Sequence, residues 1–215
     1  MSHSSEHGIT PEPRWPGVVA LLAVAALNGL LPSSLSAGLG SAGVAVVAVL
    51  ATLALLIKPW HDRLGHATAA IVTAQLAYAL VQLIVDLTTH RGEAIELLRA
   101  ALILWSMNIF VFASWYWRID AGGPHHRSKH AVYCGGAFLF PQLSMPPEVR
   151  RVLVGKEGWQ PRFIDYLFLA FNTSTAFSPT DAPVLSAWAK VLMMLQASIS
   201  LATLAMVAAR AVNIL

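Results

Sequence analysis

The sequence predicts an all-α integral membrane protein, with about five transmembrane helices plus a re-entrant segment, or six transmembrane helices as the alternative. Three observations predict it. The chain is 56% apolar and only 12% charged, and its mean hydropathy is +0.62, beyond what a soluble domain of this length carries. Several apolar segments are each long enough to cross the ~30 Å hydrocarbon core at ~1.5 Å per residue. One further apolar segment is short and ends in "FNTSTAFSPTDAP", Phe171 to Pro183, where hydroxyls, an amide, a proline and a carboxylate crowd together before another long apolar run.

Residues 1–14 carry Ser, His, Glu and Pro with no apolar period, which predicts a disordered polar tail. "WPGVVALLAVAALNGLL" follows a single basic residue, lacks a small-residue cleavage site and is succeeded by more apolar segments, so it reads as a first helix rather than a removed signal. "PSSLSAG" then turns the chain. A second helix is expected to about Ile57, a third from about Ala67 to Leu87, a fourth from about Ile95 to Trp117, and a last from about Val184 to the C-terminus. The fourth ends in Trp115, Tyr116 and Trp117 beside Arg118, the aromatic belt of a helix leaving hydrocarbon. No soluble domain or internal repeat stands out. The single cysteine, Cys134, leaves no intramolecular disulfide to brace the fold.

Between the fourth helix and the short apolar segment lies a loop, residues 118–161, rich in Gly, Pro and charge and too long for a simple turn. Its "HHRSKHAVYC" gathers His125, His126, His130 and Cys134, ligand types that suit zinc or copper, but the spacing matches no closed zinc motif. The expectation is a solvated polybasic loop with no metal and no cofactor. The net charge of +3 sits in loops, which suits anionic headgroups of the lipid bilayer, and no nucleic-acid-reading motif accompanies it. No serine elbow, HExxH, paired CxxC or phosphate-cradling glycine loop occurs, so an enzyme is the least favoured class.

The short segment "RFIDYLFLAFNTSTAFSPTD" is too short and too polar at its end to cross comfortably. Irregular backbone at membrane depth is tolerated only inside protein or along a water-filled cavity, which points to a re-entrant element; a sixth crossing with a tight turn at Ser178 to Pro183 competes equally on physical grounds.

From "FIDYLFLAFNTSTAFSPTDAP" to "ARAVNIL" the chain resembles the pore helix, filter and inner helix of the two-helix potassium-channel pore. Laid without a gap on D-Y-x-Y-F-S-F-V-T-L-T-T-V-G-Y-G-D and the helix after it, Phe171, Thr173, Thr175, Asp181, Lys190 and Arg210 fall on like residues. Through "FASWYWRIDAGGP", "FLFPQ" and "ARAVNIL" the chain also resembles bacterial multi-pass membrane proteins grouped as a domain of unknown function, from about Asn108 onward. The resemblance implies N-terminal membrane helices over 15–93. It also implies a pore-like region over 94–215, with an outer helix 95–117, the loop 118–161, a pore helix and filter-like loop 162–183, and an inner helix 184–215. It implies a homotetramer in the bacterial inner (plasma) membrane, since one such loop cannot enclose a path alone.

The departure from the pattern sets the expected selectivity. T-V-G-Y-G is replaced by "AFSPT", Ala176 to Thr180, so both filter glycines are gone and Pro179 fixes its φ near −65°. A carbonyl ladder of the potassium kind is not expected. What remains is a ring of oxygen ligands from Thr173, Ser174, Thr175, Ser178 and Thr180, closed by Asp181, suited to a hydrated monovalent cation; the competing reading is a loop whose hydroxyls cap their own helix ends. On the last helix Gln196, Ser200, Thr203 and Arg210 share a stripe and are candidates to line the pore, or to bond between helices. On the third, Asp86 is expected to pair with Arg91 or Arg99. The predicted function is a cation-conducting pore without strict potassium selectivity, against a non-conducting membrane scaffold or a small-solute transporter. Orientation stays open. The basic loop belongs in the cytoplasm by the positive-inside rule, whereas the potassium-channel pattern puts it outside.

Overall fold

The computed structural model describes residues 12–13, 15–36, 43, 45–47, 49–50, 61–89, 94–129, 133–155, 159–175 and 182–214. Among them the chain is helical and has no strand. The helices are α1 (Trp15–Gly29), α2 (His61–Thr88), α3 (Ala94–Ile119), α4 (Gly123–Arg127), α5 (Pro141–Ser144), α6 (Pro147–Val154), α7 (Phe163–Thr175) and α8 (Ala187–Ile214), with a 3-10 turn at Asp120–Gly122. Three of them, within α2, α3 and α8, are long and apolar enough to cross a membrane. The expected third and fourth helices are α2 and α3, slightly longer than predicted. Most of the expected second helix lies outside the described residues, and α1, with 15 residues, is shorter than its apolar run suggested.

The centre of the fold is α3, which packs against α1, α2, α7 and α8. Its Leu104, Met107, Val111, Phe112, Tyr116 and Trp117 are all buried, a repeat at three and four residues that keeps one broad face inside. Contact with α1 is close because Gly17 has no side chain: a Cβ there would stand 2.4 Å from the Trp117 ring. At its far end α3 breaks sharply. Ala121, Gly122 and Gly123 all have positive φ, at 49°, 76° and 84°. Two glycines make that affordable, and any Cβ on Gly123 would meet the Arg118 carbonyl oxygen at 2.6 Å.

Contacts between the helices fix which ends lie together. Gly17 of α1 and Gly65 of α2 both abut the end of α3, at Trp117 and Arg118, so α1 and α2 each run antiparallel to α3. At the opposite end of the bundle, Ser34 beyond α1 donates to Asp86 Oδ2 near the end of α2, at 3.4 Å. That hydroxyl, in place of Arg99, is the described partner of Asp86, and Arg91 lies outside the described residues. Ser34 and Gly65 therefore lie at opposite ends of the bundle.

Of residues 1–14, expected to form a disordered tail, the described ones are Pro13 and its neighbour Glu12, whose side chain is bonded to the bundle. Its Oε1 accepts from Trp117 Nε1 at 2.5 Å and its Oε2 pairs with Arg127 Nη2 at 3.0 Å. Two buried donors at the end of α3 need an acceptor, and Glu12 supplies it.

Candidate functional site

The site is built around α7, a helix of 13 residues, or ~20 Å of rise, too short for a ~30 Å core. Its start is fixed by Asp165, whose Oδ2 accepts from the Arg162 main-chain N–H at 2.7 Å. Phe163, Tyr166, Leu169, Ala170 and Ser174 are buried on one face, while Ile164, Phe168 and Phe171 stay exposed on the other. The buried face lies on α3 and α8.

Both ends of α7 can be located against α3. Phe163 stacks edge-on against Trp117 at a centroid distance of 5.7 Å, so α7 starts at the Asp120 end of the bundle. Ser174 lies deep, its carbonyl oxygen 3.4 Å from Trp105 Nε1, some ~21 Å along α3 from Ile119. By Val184 the chain is back at the Asp120 end. Val184 bridges Phe138, with Leu139 N–H donating to the Pro183 oxygen at 2.9 Å and Leu185 N–H to the Ala137 oxygen at 2.7 Å. Phe138 in turn packs on Tyr116, Tyr166 and Trp188 at 5.3, 6.2 and 6.1 Å. The 176–181 stretch is thus flanked by two fastened ends.

The deep end is fastened by polar side chains of α8 and α3. The last carbonyls of a helix lack partners within it, and here a neighbouring helix supplies one for Ser174. Gln196 Nε2 donates to the Ala170 oxygen at 2.7 Å and to Ser174 Oγ at 2.8 Å, while its Oε1 accepts from the Tyr116 hydroxyl at 2.5 Å. Ser200 Oγ donates to the Ser174 oxygen at 2.6 Å, and Asn108 Nδ2 to the Gln196 main-chain oxygen at 3.1 Å.

The predicted site residues divide accordingly. Thr173 and Thr175 donate back to Leu169 and Phe171 of their own helix, at 2.8 and 2.9 Å, which is the local capping reading for those two hydroxyls. Ser174 is buried in the Gln196 socket, and Ser178, Thr180 and Asp181 lie outside the described residues. Gln196, Ser200 and Thr203 were candidates to line a pore or to bond between helices. All three are buried inside the single chain, two of them bonded to α7 and Thr203 to Ile199 of its own helix at 2.6 Å, so the stripe turns toward α7 and α3.

Sequence reasoning missed the second fastening, at Asp120. This residue is fully buried, and its carboxylate gathers three donors: the Tyr133 hydroxyl, the Tyr166 hydroxyl at 2.6 Å and the Ala137 N–H at 2.6 Å. Beside it Arg127 Nη1 donates to the Trp117 and Asp120 main-chain oxygens at 3.0 and 2.7 Å, and its guanidinium lies over the Tyr166 ring at 5.2 Å. Burial, with the Asp120 charge added to it, pushes the Tyr133 phenol well above its ordinary range, so it stays a protonated donor. The tell-tale in the sequence was an acid at a helix end followed by two glycines and a proline, "RIDAGGP".

His125, His126 and Cys134 are exposed, and His126 Nδ1 lies 3.0 Å from the Ala121 oxygen. His130 is outside the described residues, and among those described no three His, Cys, Asp or Glu side chains converge as metal ligands. No family model, curated protein or solved structure matches the chain.

Proposed function

We propose that this chain is the subunit of a cation-conducting pore without strict potassium selectivity, a homotetramer in the bacterial inner membrane. The observation that carries the reading is the course of α7, which enters from the Asp120 end, stops at depth and is followed by chain already back at that end by Val184. In this reading the protein makes five crossings and one re-entrant hairpin, and 176–181 forms the filter-like turn. Non-helical backbone at such depth belongs beside protein or water. Hydroxyl and carboxylate oxygens in that turn, without filter glycines, suit hydrated monovalent cations. The chain acts as a conduit rather than an enzyme.

Orientation follows from charge. Exposed Arg63, Lys129, Arg151, Arg162 and Lys190 belong to the end that holds Asp120, whereas exposed Arg99 lies toward the other. The positive-inside rule then puts the Asp120 end in the cytoplasm, and the hairpin enters from that side.

A second reading, a non-conducting membrane scaffold, is favoured by the inward turn of Gln196 and Ser200 and by the self-bonded Thr173 and Thr175. Ion flux into proteoliposomes of the purified chain separates the two. Potassium and sodium entry at comparable rates is expected for the pore, and no flux of either leaves the scaffold. A stable monomer by mass measurement in mild detergent would also remove the pore, because one hairpin cannot enclose a path.

A further inference from the structure

We propose that a cavity beside α7 binds a small organic cation bearing N–H donors, a primary ammonium on a short chain or single ring. The cavity measures about 250 Å³, with apolar walls from Phe140, Phe168 and Leu169 and polar groups from Gln142, Asp165 and Asn172. An apolar cavity of ~150 Å³ accommodates benzene, so this one takes a ring with a short ammonium arm.

The polar groups decide the ligand's charge and hydrogen-bonding character. Asp165 offers a carboxylate of which one oxygen is committed to the Arg162 N–H, at 2.7 Å. The Arg162 side chain is exposed and is not among the residues that line the cavity, so its charge acts on the carboxylate from outside. Gln142 contributes a side-chain Oε1 that is buried and has no donor among the described residues. A buried acceptor left without a donor is costly, and a bound N–H relieves the cost. Two acceptors and a negative charge therefore select a donor-bearing cation and repel an anion. The walls select an organic one: Phe140 is 5% exposed and held by Trp159 and Tyr166 at ring distances of 5.6 and 5.5 Å, while Phe168 is 57% exposed at the mouth. Aromatic faces attract an ammonium, and a hydrated inorganic ion would leave them unused. Most small-molecule sites share this form, an apolar hollow with a few convergent polar groups. The inference stands apart from conduction, since it needs only Phe140, α5, α7 and Ala182.

The test is calorimetric titration of the purified full chain in nanodiscs with 2-phenylethylammonium, with neutral 2-phenylethanol as the matched control. Saturable binding of the ammonium is expected, with the alcohol about tenfold weaker or worse. Asp165→Asn keeps an oxygen for the Arg162 N–H, so its melting temperature should hold while ammonium affinity falls by about tenfold. Gln142→Leu removes the orphaned acceptor, so it should weaken binding without lowering the melting temperature, an effect a merely structural residue would not produce. No saturable binding of the ammonium, equal binding of the alcohol, or wild-type affinity in either variant would overturn the proposal. Should Asp165→Asn fail to fold, Gln142→Leu alone decides in the same way.

Discussion

The Tyr166 hydroxyl lies 2.6 Å from Asp120 Oδ2, and this bond hangs the short helix α7 from the end of α3. The same carboxylate holds Tyr133 and the Ala137 N–H, so the loop before α7, through Ala137 and its bond to Leu185, is tied to the chain after it. Asp120→Asn puts an amide N–H₂ where donors converge. It should cost about 3 kcal/mol, since buried donors lose an ionised acceptor. Tyr166→Phe should cost less, about 1.5 kcal/mol, because two donors remain on Asp120. Denaturation in mild detergent measures both, and an Asp120→Asn protein as stable as the wild type would remove Asp120 from the account.

Tyr133 gives a pH signature. Burial and Asp120 raise its folded pKa above the ordinary value of 10.0, so its contribution is complete below that pH and is lost as pH climbs through the range above it. The melting temperature should hold from neutrality to about pH 10 and then fall. Tyr133→Phe should start lower and fall less steeply over the same alkaline range. Parallel profiles would show that Tyr133 is not the group being titrated.

Gln196 separates a structural socket from a pore lining. Gln196→Leu leaves the Tyr116 hydroxyl and Ser174 Oγ without their partner and uncovers the Ala170 oxygen, which should cost about 2–4 kcal/mol in a detergent melt. A residue facing an open axis would change conduction and leave the melt alone. An unaltered melt would therefore favour the pore lining.

Much of the helical framework was legible because long apolar runs fix where helices lie. The predicted 95–117 helix is α3 at 94–119, and the short apolar segment is α7. Residues His61 to Gly65 begin α2 earlier than hydropathy suggested, because Gly65 packs against Arg118 and helix ends are extended by such contacts rather than by apolarity. Periodicity revealed the Gln196, Ser200 and Thr203 stripe, but a period gives a face and not its partner. Only the packing of α7 says that the face turns inward. Asp120, Tyr133 and Tyr166 stand 13 and 33 residues apart along the chain, and Glu12 is more remote still, so no local pattern could join them. They meet because the positive-φ turn at Ala121 to Gly123 folds the loop back over the end of α3.

Cysteine labelling tests the re-entrant course of α7 most directly. In a Cys134→Ser background, single substitutions Arg162→Cys, Leu185→Cys and Ala208→Cys mark the start of the hairpin, its return and the far part of α8. Arg162, Leu185 and Ala208 are all exposed, as is the native Cys134 that reports the loop. With a membrane-impermeant maleimide on sealed vesicles of known sidedness, Arg162→Cys and Leu185→Cys should react from the same face as Cys134 of the native chain, the cytoplasmic face, and Ala208→Cys from the opposite one. Reaction of Arg162→Cys and Leu185→Cys from opposite faces would make α7 part of a sixth crossing and contradict the hairpin on which the pore depends.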